Sequence, residues 1–253
     1  MLWSSALGAD TVISHDAVGV VVLHGKWGSP SDWTLRLAQA LEKKGYQVAS
    51  PEMPWSGHRL YDGGVASAMS EIDAVIVTLR SHGAKKIFVA GHSLGAAATV
   101  RYGSRSGVDG LILLSPGHFP ESTNFAHQLG AAVTRARQMV QTGKGDDRAD
   151  FEDLNTGHRQ RLVRTTARIY LDYFDSEGPM NFTRNLAALS EKLPILWVVG
   201  NTEEPGLRAF GDRRREHALT APGSQFAEVV ADHLRTPEQA IPVVLAWLQE
   251  RTH

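Results

Sequence analysis

The chain has 253 residues, 42% of them hydrophobic, and a formal net charge of −1. That length and apolar content support one large core in a single domain, and the balanced charge, with no basic stripe, excludes an electrostatic nucleic-acid binder. With no cysteine there are no disulfides, no thiol nucleophile and no zinc–thiolate site, and no apolar stretch approaches the ~18 residues of a membrane span.

The opening segment Met1–Asp10 resembles the tail of a secretory leader, although it lacks a positive n-region and is too short for an intact one. From Val18 to Leu23 every position is apolar or glycine, the pattern of a parallel strand buried on both faces. It ends at His24-Gly25-Lys26-Trp27-Gly28. Ser31 and Asp32 then offer an N-cap to a helix whose buried face carries Trp33, Leu37, Ala38 and Leu41, closed by Gly45. Gln47 to Ser50 is a short strand, and the prolines and glycine of Pro51 to His58 forbid regular structure. Val65, Ala68, Met69, Ile72, Val75, Ile76 and Leu79 keep a helical period for about four turns.

The apolar run Ile87-Phe88-Val89-Ala90 leads into Gly91-His92-Ser93-Leu94-Gly95, and Ala96 to Val100 opens a helix. A G-x-S-x-G between strand and helix is a nucleophile elbow, in which the glycines allow a turn tight enough to present the serine hydroxyl above the sheet. Gly110 to Leu114 is a further buried strand, ending in Ser115-Pro116-Gly117-His118.

Across residues 119–190 the alternation stops and no convincing strand is visible. Leu129, Ala132, Val133, Ala136 and Val140 form one helical stripe, and Leu162, Val163, Thr166, Tyr170 and Tyr173 a second, with Gly143 to Asp147 as a loop between them. The expected organisation is a core of residues 1–118 and 191–253 carrying a helical cap insertion at 119–190. Strand and helix resume at Ile195 to Val199, which Gly200 ends just before Glu203, Glu204 and Pro205. The mixed-sign run Asp212 to Glu216 reads as a solvated helix face. Gln225 to Ala231 is the last strand, followed by Asp232-His233. Thr236-Pro237-Glu238-Gln239 reads as a capping box opening a final helix that turns Ile241, Val244, Leu245 and Leu248 inward.

Strands alternating with helices predict an α/β protein with a mostly parallel sheet, whose site lies outside the carboxyl ends of the strands. His24-Gly25-Lys26, Ser93, Glu203 with Glu204, and His233 each follow such an end. In the order serine, acid, histidine behind an HG-x segment, the chain resembles the α/β-hydrolase superfamily along nearly its whole length except the insertion. The resemblance implies the α/β-hydrolase fold, with helices on both faces of the sheet and a helical cap insertion. It also implies a serine hydrolase cleaving a carboxylic ester through an acyl-enzyme, with carboxylesterase as the default. Thioesterase, amidase or carbon–carbon bond hydrolase chemistry, or a non-catalytic binding module, are the alternatives that the same residues serve.

A serine hydroxyl needs a base to take its proton as it attacks. His233 fills that role best, on a loop between the last strand and the final helix, and His118 is the rival because it too follows a strand. His15, His82 and His253 sit in turns or at a terminus, and His24 lies in the oxyanion segment. The imidazole needs a carboxylate, which counting from Gly200 puts at Glu203 and counting back from Pro205 puts at Glu204; the glycine count favours Glu203. By resemblance the oxyanion donors are the N–H groups of Lys26 and Leu94, with the Lys26 side chain expected in solvent. Trp27, His92, His118 and Phe119, with Trp55, are the candidates for the substrate pocket, and His58 reads as a structural residue of its turn. No metal-binding or nucleotide-binding motif occurs, so no cofactor or metal is expected and the implied partner is a small acyl substrate.

Overall fold

Six strands pair in parallel: β1 (Val18–Leu23), β2 (Gln47–Ala49), β3 (Lys86–Ser93), β4 (Gly110–Pro116), β7 (Ile195–Gly200) and β8 (Gln225–Val229), in the order β2-β1-β3-β4-β7-β8. The computed structural model describes residues 14–252 apart from 106 and 158, so the Met1–Asp10 segment and His253 lie outside it. Alternate residues of one strand enter two different cores. Val18, Val20 and Val22 of β1, with Phe88, Ile112 and Leu196, pack against Leu37 and Leu41 of α1 (Leu35–Lys43) and Val244, Trp247 and Leu248 of α9 (Ile241–Thr252). Val21, Leu23, Val89, Leu113 and Trp197 face the other way, onto α2 (Val65–Ser81) and α3 (Leu94–Gly103). A strand buried on both faces is apolar at nearly every position, so the central β1, β3, β4 and β7 show no alternation in the sequence, whereas the edge strands β2 and β8 are only partly buried. No described helix is long and apolar enough to cross a membrane.

Three local expectations are corrected. The first helix begins only at Leu35, on an N-cap at Thr34 that makes no side-chain cap bond, so Trp33 precedes it and is 48% exposed instead of lying on the buried face. Thr236 does not cap a helix. Its Oγ1 donates to the Asp232 carbonyl at 2.8 Å, within a four-residue turn, α8 (Thr236–Gln239), that Ala240 separates from α9.

The third concerns 119–190. This segment contains α4 (Thr123–Gln141), α5 (Ala167–Phe174) and α6 (Phe182–Ala187), but also an antiparallel hairpin of β5 (Arg148–Asn155) and β6 (Arg159–Thr166). Residues Phe151, Asp153, Val163 and Thr165 point inward and are buried, while Arg148, Asp150, Glu152 and Arg164 point outward. Two of those inward positions are polar, which masks the period-2 pattern that would reveal strands. Leu162, read as part of a helical stripe, is 61% exposed on β6. Tyr170 of α5 stacks on Phe151 at 4.4 Å and holds the hairpin to the helix. The remaining helix, α7 (Pro205–Ala218), follows β7.

Candidate active site

β3 runs into α3 through Ser93, whose φ of 55° and ψ of −118° lie where L-residues are strained. The flanking glycines make that turn sterically feasible. A Cβ on Gly91 would lie 2.2 Å from the Gly95 carbonyl oxygen, and one on Gly95 would lie 2.5 Å from that of Leu23. Ser93 is 7% exposed, at the floor of a cleft of about 470 Å³.

His233 Nε2 lies 2.9 Å from Ser93 Oγ, and His233 Nδ1 lies 2.9 Å from both carboxylate oxygens of Glu203. A carboxylate only accepts, so Nδ1 carries the proton and Nε2 presents a lone pair to the serine hydroxyl. Burial pushes the Glu203 carboxyl up, but the hydrogen bond and charge of His233, the Ser115 hydroxyl and the Glu204 amide outweigh it and hold the group below its ordinary value. Ser115, at φ 42°, sits between that carboxylate and Thr236 Oγ1, 2.9 Å away. Glu204 points elsewhere: its Oε1 accepts from the Gly157 N–H at 2.7 Å, at the tip of the β5–β6 hairpin.

His92 donates from Nε2 to the His233 carbonyl at 2.8 Å, so it braces the His233 backbone while its ring borders the cleft. Burial lowers its pKa to about 3 and keeps it neutral. Burial likewise lowers His24 and takes His118 well below the ordinary 6.5. These three bind protons in the unfolded chain first, so their contribution to stability is complete above the unfolded value near 6.5 and is lost as pH falls toward the folded values. The stability of the chain is expected to fall by at least the equivalent of one proton, about 1 kcal/mol per pH unit, as the pH drops below the unfolded value near 6.5. Urea midpoints at neutral pH and near pH 5 check this, and a slope below one proton would contradict it.

The loop after β1 passes directly over the elbow, since a Cβ on Gly25 would lie 3.3 Å from Ser93 Cβ. Among the described residues the Lys26 N–H has no acceptor, whereas the Trp27 and Gly28 amides are committed to the Trp55 and Gly25 carbonyls at 2.9 and 3.1 Å. The Leu94 N–H belongs to the first turn of α3, whose amides lack intrahelical acceptors. The Lys26 side chain is not in solvent. Its side chain is 5% exposed and Nζ donates to Asp153 Oδ1 at 2.6 Å and to the Leu154 carbonyl at 2.7 Å. Burial lowers the pKa of this ammonium, and Asp153 offsets part of that effect.

The Alpha/beta hydrolase family profile matches residues 20–245. The chain belongs to the alpha/beta hydrolase family. Similar solved structures include one from work on LipS and LipT, two metagenome-derived lipolytic enzymes, at 18% identity, covering 94% of this chain and 95% of that one with a TM-score of 0.66. Est1E from Butyrivibrio proteoclasticus is 15% identical, with 94% and 89% covered and a TM-score of 0.63. A Paleococcus ferrophilus monoacylglycerol lipase is 22% identical, with 92% and 94% covered and a TM-score of 0.62. Likeness at these identities is likeness of fold. No curated protein matches the sequence.

In this hydrolase the cleft is bordered by Trp27, Trp33, Asn155, Thr156, Arg159 and Leu234, with His92, Ser93 and His233 at its base. His118 and Phe119 do not line it. His118 donates from Nε2 to the Tyr173 carbonyl at 2.7 Å, and Phe119 stacks on Phe210 at 4.2 Å in the core. Trp55 is fully buried and donates to the His24 carbonyl. His58 is a surface residue, its side chain 84% exposed beside Glu52, and supports no core contact. Sequence reasoning missed Gly117, where a Cβ would lie 3.0 Å from Ser93 Oγ; its position after a buried strand, as for Ser93, was the available signal.

Proposed function

We propose that this hydrolase is a serine hydrolase that cleaves a carboxylic ester through an acyl-enzyme, with Ser93 as nucleophile, His233 as general base and Glu203 as its partner. The observation that carries the reading is the continuous contact from Glu203 through His233 to Ser93, at 2.9 Å in each step, beneath an open cleft. As the serine oxygen bonds to the substrate carbonyl carbon, its proton moves to His233 Nε2 and the carbonyl electron pair moves onto oxygen. The N–H groups of Lys26 and Leu94 receive that oxyanion. His233 then gives the proton to the departing alcohol, and water, activated by the same base, releases the acid.

Segment 119–190 acts as a cap that shapes the acyl or alcohol subsite, a reading supported by Asn155, Thr156 and Arg159 at the cleft wall. Turnover of a panel of p-nitrophenyl esters and acyl thioesters tests the whole proposal. Ester turnover that varies with chain length is the expected result; tight binding of the same esters without turnover would point instead to a binding module.

A further inference from the structure

Asp153 lies on the inward face of β5 and is fully buried, yet all its acceptor capacity is used. Oδ1 accepts from Lys26 Nζ at 2.6 Å and from the Leu154 N–H at 2.7 Å, while Oδ2 accepts from Trp27 Nε1 at 2.7 Å and from the Tyr61 hydroxyl at 2.8 Å. Two of those donors are consecutive residues of the loop that crosses the elbow. The neighbouring Asn155 adds a bond from Nδ2 to the Lys26 carbonyl at 3.1 Å. Lys26 is packed under Phe174 and Phe125, with Nζ 5.1 and 5.8 Å from the ring centroids, so water does not compete for it.

A buried carboxylate is costly unless fully paired, and the desolvation of two ions offsets much of their attraction. An arrangement of this kind adds little net stability; it restricts geometry. The geometry restricted here is unusual, because Trp27 holds a φ of 57° that a tryptophan adopts only when its surroundings impose it. The Lys26 N–H belongs to the Gly25–Lys26 peptide, so holding the Lys26 side chain, the Lys26 carbonyl and the Trp27 indole fixes the Lys26 backbone from which that N–H projects, the amide with no acceptor among the described residues.

We infer that Asp153 is a positioning residue for the oxyanion hole, through which the β5–β6 hairpin sets the catalytic competence of the loop after β1. The inference rests on the serine-hydrolase reading above. It predicts that a hairpin displaced from the loop leaves Ser93, His233 and Glu203 in contact but misdirects one oxyanion donor. A lost donor costs on the order of 10²- to 10³-fold in rate, so a misdirected one is expected to cost about 10- to 100-fold.

The test compares Asp153→Asn and Lys26→Met with wild type, using a small p-nitrophenyl ester and a trifluoromethyl ketone. The ketone is attacked by Ser93 to give a tetrahedral alkoxide, so its Ki reads the oxyanion hole and not ground-state binding. Each variant is expected to lower kcat about 10- to 100-fold with KM changed less than about threefold, and to raise Ki by the same factor as kcat/KM falls. The double variant should lose no more than the worse single one, because both cut one tether. Lys26→Met keeps its backbone amide and decides the matter alone if Asp153→Asn does not fold. Folded variants with kcat/KM and Ki near wild type and only a lower Tm would overturn the inference, as would a raised KM with unchanged Ki. Wild-type protein showing no Ser93-dependent turnover would overturn the parent reading as well, and Ser93→Ala in the same assay separates the two failures.

Discussion

Ser93→Ala is expected to lower ester turnover by about 10³-fold or more while the protein stays folded. Among the described residues the side chain makes one hydrogen bond, to His233 Nε2, and it sits on a turn at the cleft floor, so the stability lost is about 1 kcal/mol. Alanine inherits the same Cβ at φ 55°, and the Gly91 and Gly95 contacts that shape the elbow are unaffected. What disappears is the hydroxyl oxygen that the proposed mechanism bonds to the acyl carbon. Steady-state turnover, with thermal unfolding as the check on folding, measures the effect. A folded variant working near the wild-type rate would remove Ser93 from the mechanism.

Glu203→Gln should lower kcat by roughly 10²- to 10⁴-fold. Both Glu203 oxygens lie 2.9 Å from His233 Nδ1, and the carboxylate holds the proton on that nitrogen. A glutamine can turn its NH₂ toward Nδ1, which then becomes the acceptor and moves the proton to Nε2, where it faces Ser93 and blocks the transfer. The charge that would stabilise the imidazolium is lost in the same change. Glu204→Gln is expected to change kcat less than about threefold, because the amide carbonyl still accepts from Gly157 N–H as the carboxylate does. Parallel kinetics of the two variants check the assignment, and the reverse pattern would transfer the acid to Glu204.

The central strands were legible because they are apolar at consecutive positions, and the elbow because Gly91, Ser93 and Gly95 occur between a strand and a helix. His233 stood out by its place after the last strand, and its Nε2 lies 2.9 Å from Ser93 Oγ. Choosing between Glu203 and Glu204 from spacing was a choice between two counts. The two side chains run in different directions: Glu204 is the N-cap of α7 and turns its carboxylate toward the hairpin tip, while Glu203 turns back to His233.

The hairpin was hidden for a different reason. Its inward positions alternate apolar with polar, and the polar ones have partners far away in sequence: Asp153 meets Lys26 across 127 positions and Tyr61 across 92. Local pattern cannot reveal such a pair, so Lys26 in a glycine-rich loop read as solvated. Trp33 was misplaced because a helical period was extended two residues before the helix starts at Leu35, and it borders the cleft instead.

The claim that Ser93 is an activated nucleophile is tested most directly by mass spectrometry of the protein after exposure to a fluorophosphonate. One adduct per chain is expected, on the peptide containing Ser93, absent from Ser93→Ala and strongly slowed in Glu203→Gln. Folded wild-type protein that takes up no label, or takes it up on another residue while hydrolysing esters, would contradict it.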